Sequence, residues 1–310
     1  MAELELSALL ERLGDPLLAI ESSEREYFDK VDSVARHIVG HPGIRVMLLS
    51  GPSGSGKTTT ANLICDRIKA FGERSMVISL DDFYKSSGDE SYPLLENGEP
   101  DYESPFALDL DVLSESLRAI ISGEEFSVPK YDFKAGGRVG FSHYPPFSDG
   151  CVIIEGIHGL NPIISASCPE GAVLKLFVSV STNINVSGKR ILSGKKVRFL
   201  RRTVRDSIYR ASDAEKTLSM WKNVLIGEEK YLYPYKEEAD IKFDTFHSFE
   251  LSVLKPFAKR LLTDRITEES YYARVVAEAL TDIPEYDYRQ VPESSLIREF
   301  VPGGIYEDLY

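Results

Sequence analysis

Eight consecutive residues, Gly51-Pro52-Ser53-Gly54-Ser55-Gly56-Lys57-Thr58, set glycine, lysine and threonine in the spacing G-x-x-x-x-G-K-T. That spacing suits the cradling of a polyphosphate. Glycines let backbone N–H groups curl around anionic oxygens, and the N-terminus of a following helix adds its positive end. The Lys57 ammonium then reaches the outer phosphates and the Thr58 hydroxyl is a Mg²⁺ ligand. Gly51, Ser53, Gly54, Ser55, Gly56, Lys57, Thr58 and Thr59 are the expected nucleotide-holding set.

A loop of this kind serves many reactions, so the acceptor side must be read separately. Phosphoryl transfer to a hydroxyl needs a carboxylate that orients the nucleophile and takes its proton. Asp81 and Asp82 close one apolar run, and Glu155 closes another, Val152-Ile153-Ile154. Periodicity does not choose between Asp81 and Asp82; Glu155 is the natural Mg²⁺-side carboxylate. Between Lys189 and Arg210 lie nine basic residues and one acid, Asp206, in a chain whose net charge is −13. Arg198, Arg201, Arg202 and Arg205 fall at i, i+3, i+4 and i+7, one face of a helix. A cationic helix facing a phosphate site is expected to act as a lid over it, with a basic RNA-binding face as the alternative. Tyr84, Tyr131, Phe133 and Arg138 suit the stacking and hydrogen bonding of a planar acceptor, or plain core packing. His158 reads as structural.

The elements that must position these residues alternate between strand-like and helix-like, which points to an α/β fold. Strands are predicted at Arg45–Leu49, Met76–Leu80, Cys151–Ile154 and Leu174–Val180. Helices are predicted over residues 1–40, Lys57–Lys69, Leu108–Ile121, most of 184–230, Glu250–Leu262 and Glu268–Leu280. Carboxylates at strand C-termini belong where open α/β sheets gather ligands. The 310 residues with 43% hydrophobic content suffice for a core, and the acidic balance argues against a wholly nucleic-acid-binding surface. No apolar run nears the roughly 20 residues of a membrane helix. An acidic N-terminus without an apolar signal core, and three cysteines without C-x-x-C spacing, point to a cytoplasmic protein free of disulfides.

In motif order the chain resembles the uridine kinase and phosphoribulokinase family of P-loop kinases. GPSGSGKT is followed by SLDDFY (79–84), DYESPFALDLDVL (101–113), GEEFSVPKYDF (123–133), VIIEGIHGLNP (152–162), RRTVRD (201–206) and EEADIKFDT (237–245). The resemblance implies a P-loop NTPase fold of the nucleoside-kinase kind: a three-layer sandwich with a mostly parallel sheet and a helical lid at about 187–212. The kinase domain is expected at 43–262, after a helical lead-in at 1–42 and before a C-terminal helix and irregular tail at 263–310. Trp221, GEEK (227–230) and SSLIREF (294–300) are similar to bacterial uridine-kinase-like proteins in which a threonyl-tRNA-synthetase-like region precedes the kinase. Here that module is expected to be absent or reduced to a helical stub.

Carried over by motif, the resemblance implies Asp81 as catalytic base, with Lys57, Arg202 and Arg205 stabilising the transferred group. It implies ATP and Mg²⁺, the metal near Thr58, Glu155 and Asp81. The acceptor would meet Tyr84, Glu103, Tyr131, Phe133, Arg138, Arg205 and Arg210. Two departures bear on acceptor identity: Glu103 stands where the family has Asp, and Gly136 where uridine-cytidine kinases read the base with His. The expected acceptor is uridine or a related nucleoside, with a sugar or cyclitol as the first alternative and an ATP-binding regulatory or RNA-associated protein as the second. The expected partner is therefore a small molecule, not a membrane or nucleic acid, with room for a homo-oligomer.

Overall fold

The computed structural model describes residues 2–96 and 98–309. Its elements begin with strand β1 (Glu3–Glu5), helices α1 (Leu6–Arg12) and α2 (Pro16–Val39), strand β2 (Val46–Ser50), helix α3 (Lys57–Ala70) and strand β3 (Ser75–Ser79). Helix α4 (Leu110–Ser122), strands β4 (Phe126–Asp132), β5 (Gly137–Tyr144) and β6 (Cys151–Glu155), and the single turn α5 (Pro162–Ser165) follow. Next come strands β7 (Val173–Ser179), β8 (Asn183–Val186) and β9 (Lys189–Leu192), then helices α6 (Gly194–Tyr209) and α7 (Ala214–Tyr231). Strand β10 (Ile241–Asp244) and helices α8 (Glu250–Leu261), α9 (Asp264–Glu269) and α10 (Tyr271–Ala279) complete the regular structure.

Five strands form a parallel sheet in the order β10-β7-β2-β6-β3. A parallel sheet is covered on both faces, so its strands read as unbroken apolar runs. Along β2, Met47 and Leu49 point into a cluster with Ile64 and Ile68 of α3, while Val46 and Leu48 point into one with Leu113, Leu117 and Ile120 of α4. All four side chains are fully buried. The predicted strands and the phosphate-loop helix are present within a residue or two.

One expectation needs correction and two gain detail. The first residues do not open as helix: β1 pairs in parallel with β8, and the Glu3 carboxylate accepts from the side-chain amides of Asn183 and Asn185, each at 2.9 Å. A three-residue strand is too short to leave a periodic signal. The span 184–230 is not wholly helical, because β8 and β9 form an antiparallel hairpin before α6. Nor is the basic helix a solvated flap, since every residue from Val197 to Asp206 is buried. Its charged face is covered because each arginine meets an acid.

The flanking segments pack into the main core. Leu9, Tyr27 and Val31 before the sheet, and Leu296, Ile297, Phe300 and Val301 after it, belong to the same cluster as Met47 and Leu176. Tyr27 shares a 2.9 Å hydrogen bond with Thr60 of α3. No helix among the described residues is long and apolar enough to cross a membrane.

The end of β2 runs so close to β7 that a Cβ on Gly51 would lie 2.0 Å from the Val178 carbonyl oxygen, whereas one on Gly43 would have no neighbour nearer than 4.0 Å. Gly51→Ala is expected to lower the unfolding free energy by at least about 2 kcal/mol, by forcing backbone apart. Gly43→Ala should stay within about 0.5 kcal/mol of the parent. Denaturant titration of the two variants checks the contrast.

Candidate active site

The loop between β2 and α3 is shaped for an anion. Gly54 and Gly56 take left-handed φ values of 72° and 84°, and Gly56 forms the N-cap of the 14-residue helix α3 with no side chain capping it. The helix's positive end and its leading N–H groups therefore face the loop's interior without a built-in acceptor. Lys57 leans across the loop, its ammonium donating to the Pro52 carbonyl at 3.3 Å.

The loop's outward carbonyls are held by cations. Arg198 donates to the Ser53 carbonyl at 2.8 Å, Arg201 to that of Gly54 at 3.3 Å, and the Thr245 hydroxyl to that of Ser55 at 2.8 Å. The two arginines are neutralised from behind, Arg198 by Glu228 at 2.8 and 2.9 Å and Arg201 by Glu250 at 2.6 and 3.0 Å. Glu228 also accepts from the Ser53 N–H at 3.0 Å. These two arginines thus clamp the loop from beneath. Glu228 lies in GEEK and Thr245 closes EEADIKFDT, but neither motif nor the surroundings of Glu250 announces a contact with the phosphate loop.

Farther along the same helix, Arg202 donates to the Ser53 hydroxyl at 2.9 Å and to Asp206 at 3.2 Å. Asp206 also accepts from Arg205 at 2.9 and 3.0 Å and lies 3.8 Å from Arg210. One acid therefore fans out three of the cations assigned to the acceptor side.

Opposite them stand the strand-end carboxylates. Asp81 follows β3 in a 3₁₀ turn begun by Ser79, whose hydroxyl accepts from the Asp81 N–H at 3.2 Å. Its surface is open to solvent, as an acceptor-facing group requires, yet the crowding of the cleft raises its pKa while Lys57 and Arg210 pull it down. Asp82 is instead engaged by the Tyr131 backbone N–H. The loop lysine thus acts on Asp81, and the β4–β5 hairpin on Asp82.

Glu155, at the end of β6, is buried and accepts from the Thr58 hydroxyl at 3.4 Å. Burial pushes its pKa up to about 7, with Lys57 opposing. Two carboxylates of raised pKa beside a hydroxyl would be relieved by a divalent cation. Among the described residues no three His, Cys, Asp or Glu side chains gather into a metal site. A carboxylate beside a hydroxyl, as at Glu155 and Thr58, suits Mg²⁺, which takes one or two carboxylates and fills its shell with water and phosphate oxygens.

On the acceptor side the structure brings some expected residues together and leaves others apart. The Tyr84 and Tyr131 rings lie 6.1 Å apart, and those of Tyr131 and Phe133 4.8 Å. Phe133 itself is 68% exposed. Glu103 is half-buried, its pKa raised by burial and by Glu228 while Arg202 opposes. Arg138 is directed elsewhere, donating to Asp109 at the N-cap of α4 at 2.8 Å. His158 is 1% exposed, with both ring nitrogens lacking a hydrogen-bond partner among the described residues. Its ring lies 6.2 Å from that of Tyr231, whose hydroxyl donates to Asp101 at 2.5 Å.

The fold and this site define a phosphate-loop α/β protein with a transfer cleft at the C-terminal edge of its sheet. Residues 46–252 match the family model described as "Phosphoribulokinase / Uridine kinase family". The chain belongs to that family and is an ATP-dependent small-molecule kinase. It is 28% identical over 194 residues to the uridine kinase of Halobacterium salinarum, covering 62% of this chain and 76% of that one. Over 199 residues it is 29% identical to the uridine kinase of Staphylococcus haemolyticus, covering 62% and 84%. A solved D-glycerate 3-kinase from Cryptococcus neoformans superposes with a TM-score of 0.46 at 16% identity, over 66% of this chain and 88% of that one.

Removing one member of a fully buried ion pair strands the other charge. Arg201→Met is accordingly expected to lower unfolding free energy by about 3–5 kcal/mol, read from chemical denaturation. Burial also holds the His158 imidazole down to a pKa of about 4, below its ordinary 6.5. The unfolded chain then takes up this proton first, so the stability His158 confers is complete above pH 6.5 and is lost as pH falls through 4. The wild-type advantage over His158→Leu should shrink by about 3 kcal/mol between pH 7 and pH 4. A parallel pair of pH-stability curves would overturn this.

Proposed function

We propose that this kinase transfers the ATP γ-phosphoryl group to a primary hydroxyl of a nucleoside-like acceptor, with uridine or a close relative as the leading substrate. The observation that carries the reading is the uncapped N-terminus of α3 with the Thr58 hydroxyl on Glu155 at 3.4 Å and an exposed Asp81 at the end of the neighbouring strand, whose pKa Lys57 and Arg210 pull down. The triphosphate lies in the turn before Lys57, held by the N–H groups of Gly54 to Thr59. Thr58 and Glu155 hold Mg²⁺, which supplies charge neutralisation between the outer phosphates.

Asp81 accepts the proton of the acceptor hydroxyl as its oxygen bonds to the γ-phosphorus. The bond from that phosphorus to the β–γ bridging oxygen breaks and ADP leaves. Lys57, Arg202, Arg205 and Arg210 stabilise the charge on the moving group. A raised pKa suits Asp81 to this task, because a base needs affinity for the proton it takes. Glu103 holds acceptor hydroxyls, and Tyr84, Tyr131 and Phe133 offer ring faces to a base.

A second reading, a sugar or cyclitol acceptor on the same scaffold, has its own support. Gly136 has no side chain to read a base edge, and a Cβ there would lie 2.7 Å from the Ser87 hydroxyl. Arg138 is held by Asp109. Of the two grounds for the RNA-associated alternative, the arginine face is engaged in buried ion pairs at Arg198 and Arg201, which leaves the likeness to proteins with a synthetase-like region.

Asp81→Asn is expected to lower kcat by about 10²–10⁴-fold while leaving nucleotide affinity within a few fold. ADP release with a panel of pyrimidine nucleosides, purine nucleosides, sugars and cyclitols separates the two readings. Turnover of a polyol and of no nucleoside would remove the leading one.

A further inference from the structure

The segment Ser295–Phe300 lies outside the matched family region, yet it touches the phosphate loop and both helices that hold it. Glu299 is 4% exposed, and one of its carboxylate oxygens accepts from the Thr59 hydroxyl at 2.8 Å. The other oxygen lies 3.8 Å from the Arg205 guanidinium. Leu296 is fully buried under the turn: a Cβ on Gly56 would sit 2.5 Å from its Cδ1. The segment is itself anchored. Ser295 donates to Glu24 of α2, the Phe300 ring lies 5.0 Å from the Arg201 guanidinium, and the Tyr209 hydroxyl donates to the Val301 carbonyl at 3.2 Å.

We propose that Ser295–Phe300 is a structural part of the nucleotide site, in which Glu299 is a positioning residue that aims the Thr59 hydroxyl and the Arg205 guanidinium while Leu296 supports the turn at Gly56. The inference rests on the phosphate-loop reading given above. A buried carboxylate beside an anion site is unfavourable unless it is paired and hydrogen-bonded. Here the pairing falls on one group at the start of α3 and one on α6, so the acid adds a tie between α3 and the later part of the cationic helix beyond the direct contacts that Arg198, Arg201 and Arg202 make to the loop. Without it Arg205 keeps only its neighbour Asp206, which rides on the same helix and cannot relate that helix to the loop. Glu299 acts through these two side chains and needs no contact with substrate.

The test compares wild type with Glu299→Gln, which keeps shape and removes charge, and Glu299→Ala, which removes both contacts. Affinity for a non-hydrolysable ATP analogue with Mg²⁺ is measured by calorimetry, and amide hydrogen exchange of residues 51–59 is followed without nucleotide. The expected result is about tenfold weaker nucleotide binding in Glu299→Ala, a smaller loss in Glu299→Gln, and faster exchange in the loop. Unchanged affinity and exchange, or a lower yield of active enzyme with an unchanged KM for ATP, would overturn the inference. Should Glu299→Ala not fold, a double-mutant cycle between Glu299→Gln and Thr59→Val decides, and strictly additive effects would overturn it. A wild type that binds no nucleotide would fail earlier, taking down the phosphate-loop reading itself.

Discussion

A turn that aims its N–H groups inward at phosphate leaves its carbonyl oxygens facing the protein, and each of these needs a donor. In this kinase two of the donors are guanidinium groups and a third is a threonine hydroxyl. Arg198 and Arg201 reach the carbonyls of Ser53 and Gly54, and Thr245 reaches that of Ser55. Without those contacts the left-handed glycines would have no reason to hold one shape, and the uncapped end of α3 would have nothing to frame. Much of the remaining architecture serves to keep two guanidinium groups in a dry place. Glu228 arrives from α7 and Glu250 from the start of α8, both fully buried. A pair of this kind adds little net stability, because desolvation offsets attraction, but it dictates geometry.

That clamp divides the basic helix into two working halves. Its first arginines support the loop, and its later ones, Arg202, Arg205 and Arg210, converge on Asp206 beside the cleft. Across the cleft, Asp81 and Glu155 are both pushed toward their neutral forms by burial, and Lys57 pulls each back. The cleft thus holds acids short of compensation facing cations that are already partnered. On the proposed function, a polyphosphate with its metal would add anions where the cations gather and positive charge where the acids do, so that one complex would complete both halves of the site.

What the sequence disclosed follows from the range of the interactions concerned. The phosphate loop, its strand and its helix were legible because their logic is local: glycine where φ turns positive, lysine and threonine at the helix start, apolar runs where the sheet is covered on both faces. The carboxylates at the ends of β3 and β6 were legible for the same reason. The spacing of Arg198, Arg201, Arg202 and Arg205 correctly placed them on one helical face, but periodicity reports a face and not what it meets. Their partners lie 30 and 49 residues away at Glu228 and Glu250. Hence a lid was legible as a cationic helical face, but not that its first arginines are buried beneath the phosphate loop as a clamp. The pairing of Arg138 with Asp109 was hidden in a similar way, since nothing local to Arg138 announces that acid. The strands β1, β8 and β9 are too short, at three or four residues, for alternation to register.

The contact between Thr59 and Glu299 spans 240 residues, and that between Glu24 and Ser295 spans 271. Such separations slow folding, because chain entropy must be surrendered before the contacts reward it. They also impose an order during synthesis. The phosphate turn leaves the ribosome long before the segment that braces it, so a nascent chain carries its nucleotide signature for many seconds before the pocket can be finished. During that interval the underside of the turn is apolar surface awaiting Leu296, a place where a chaperone would find purchase.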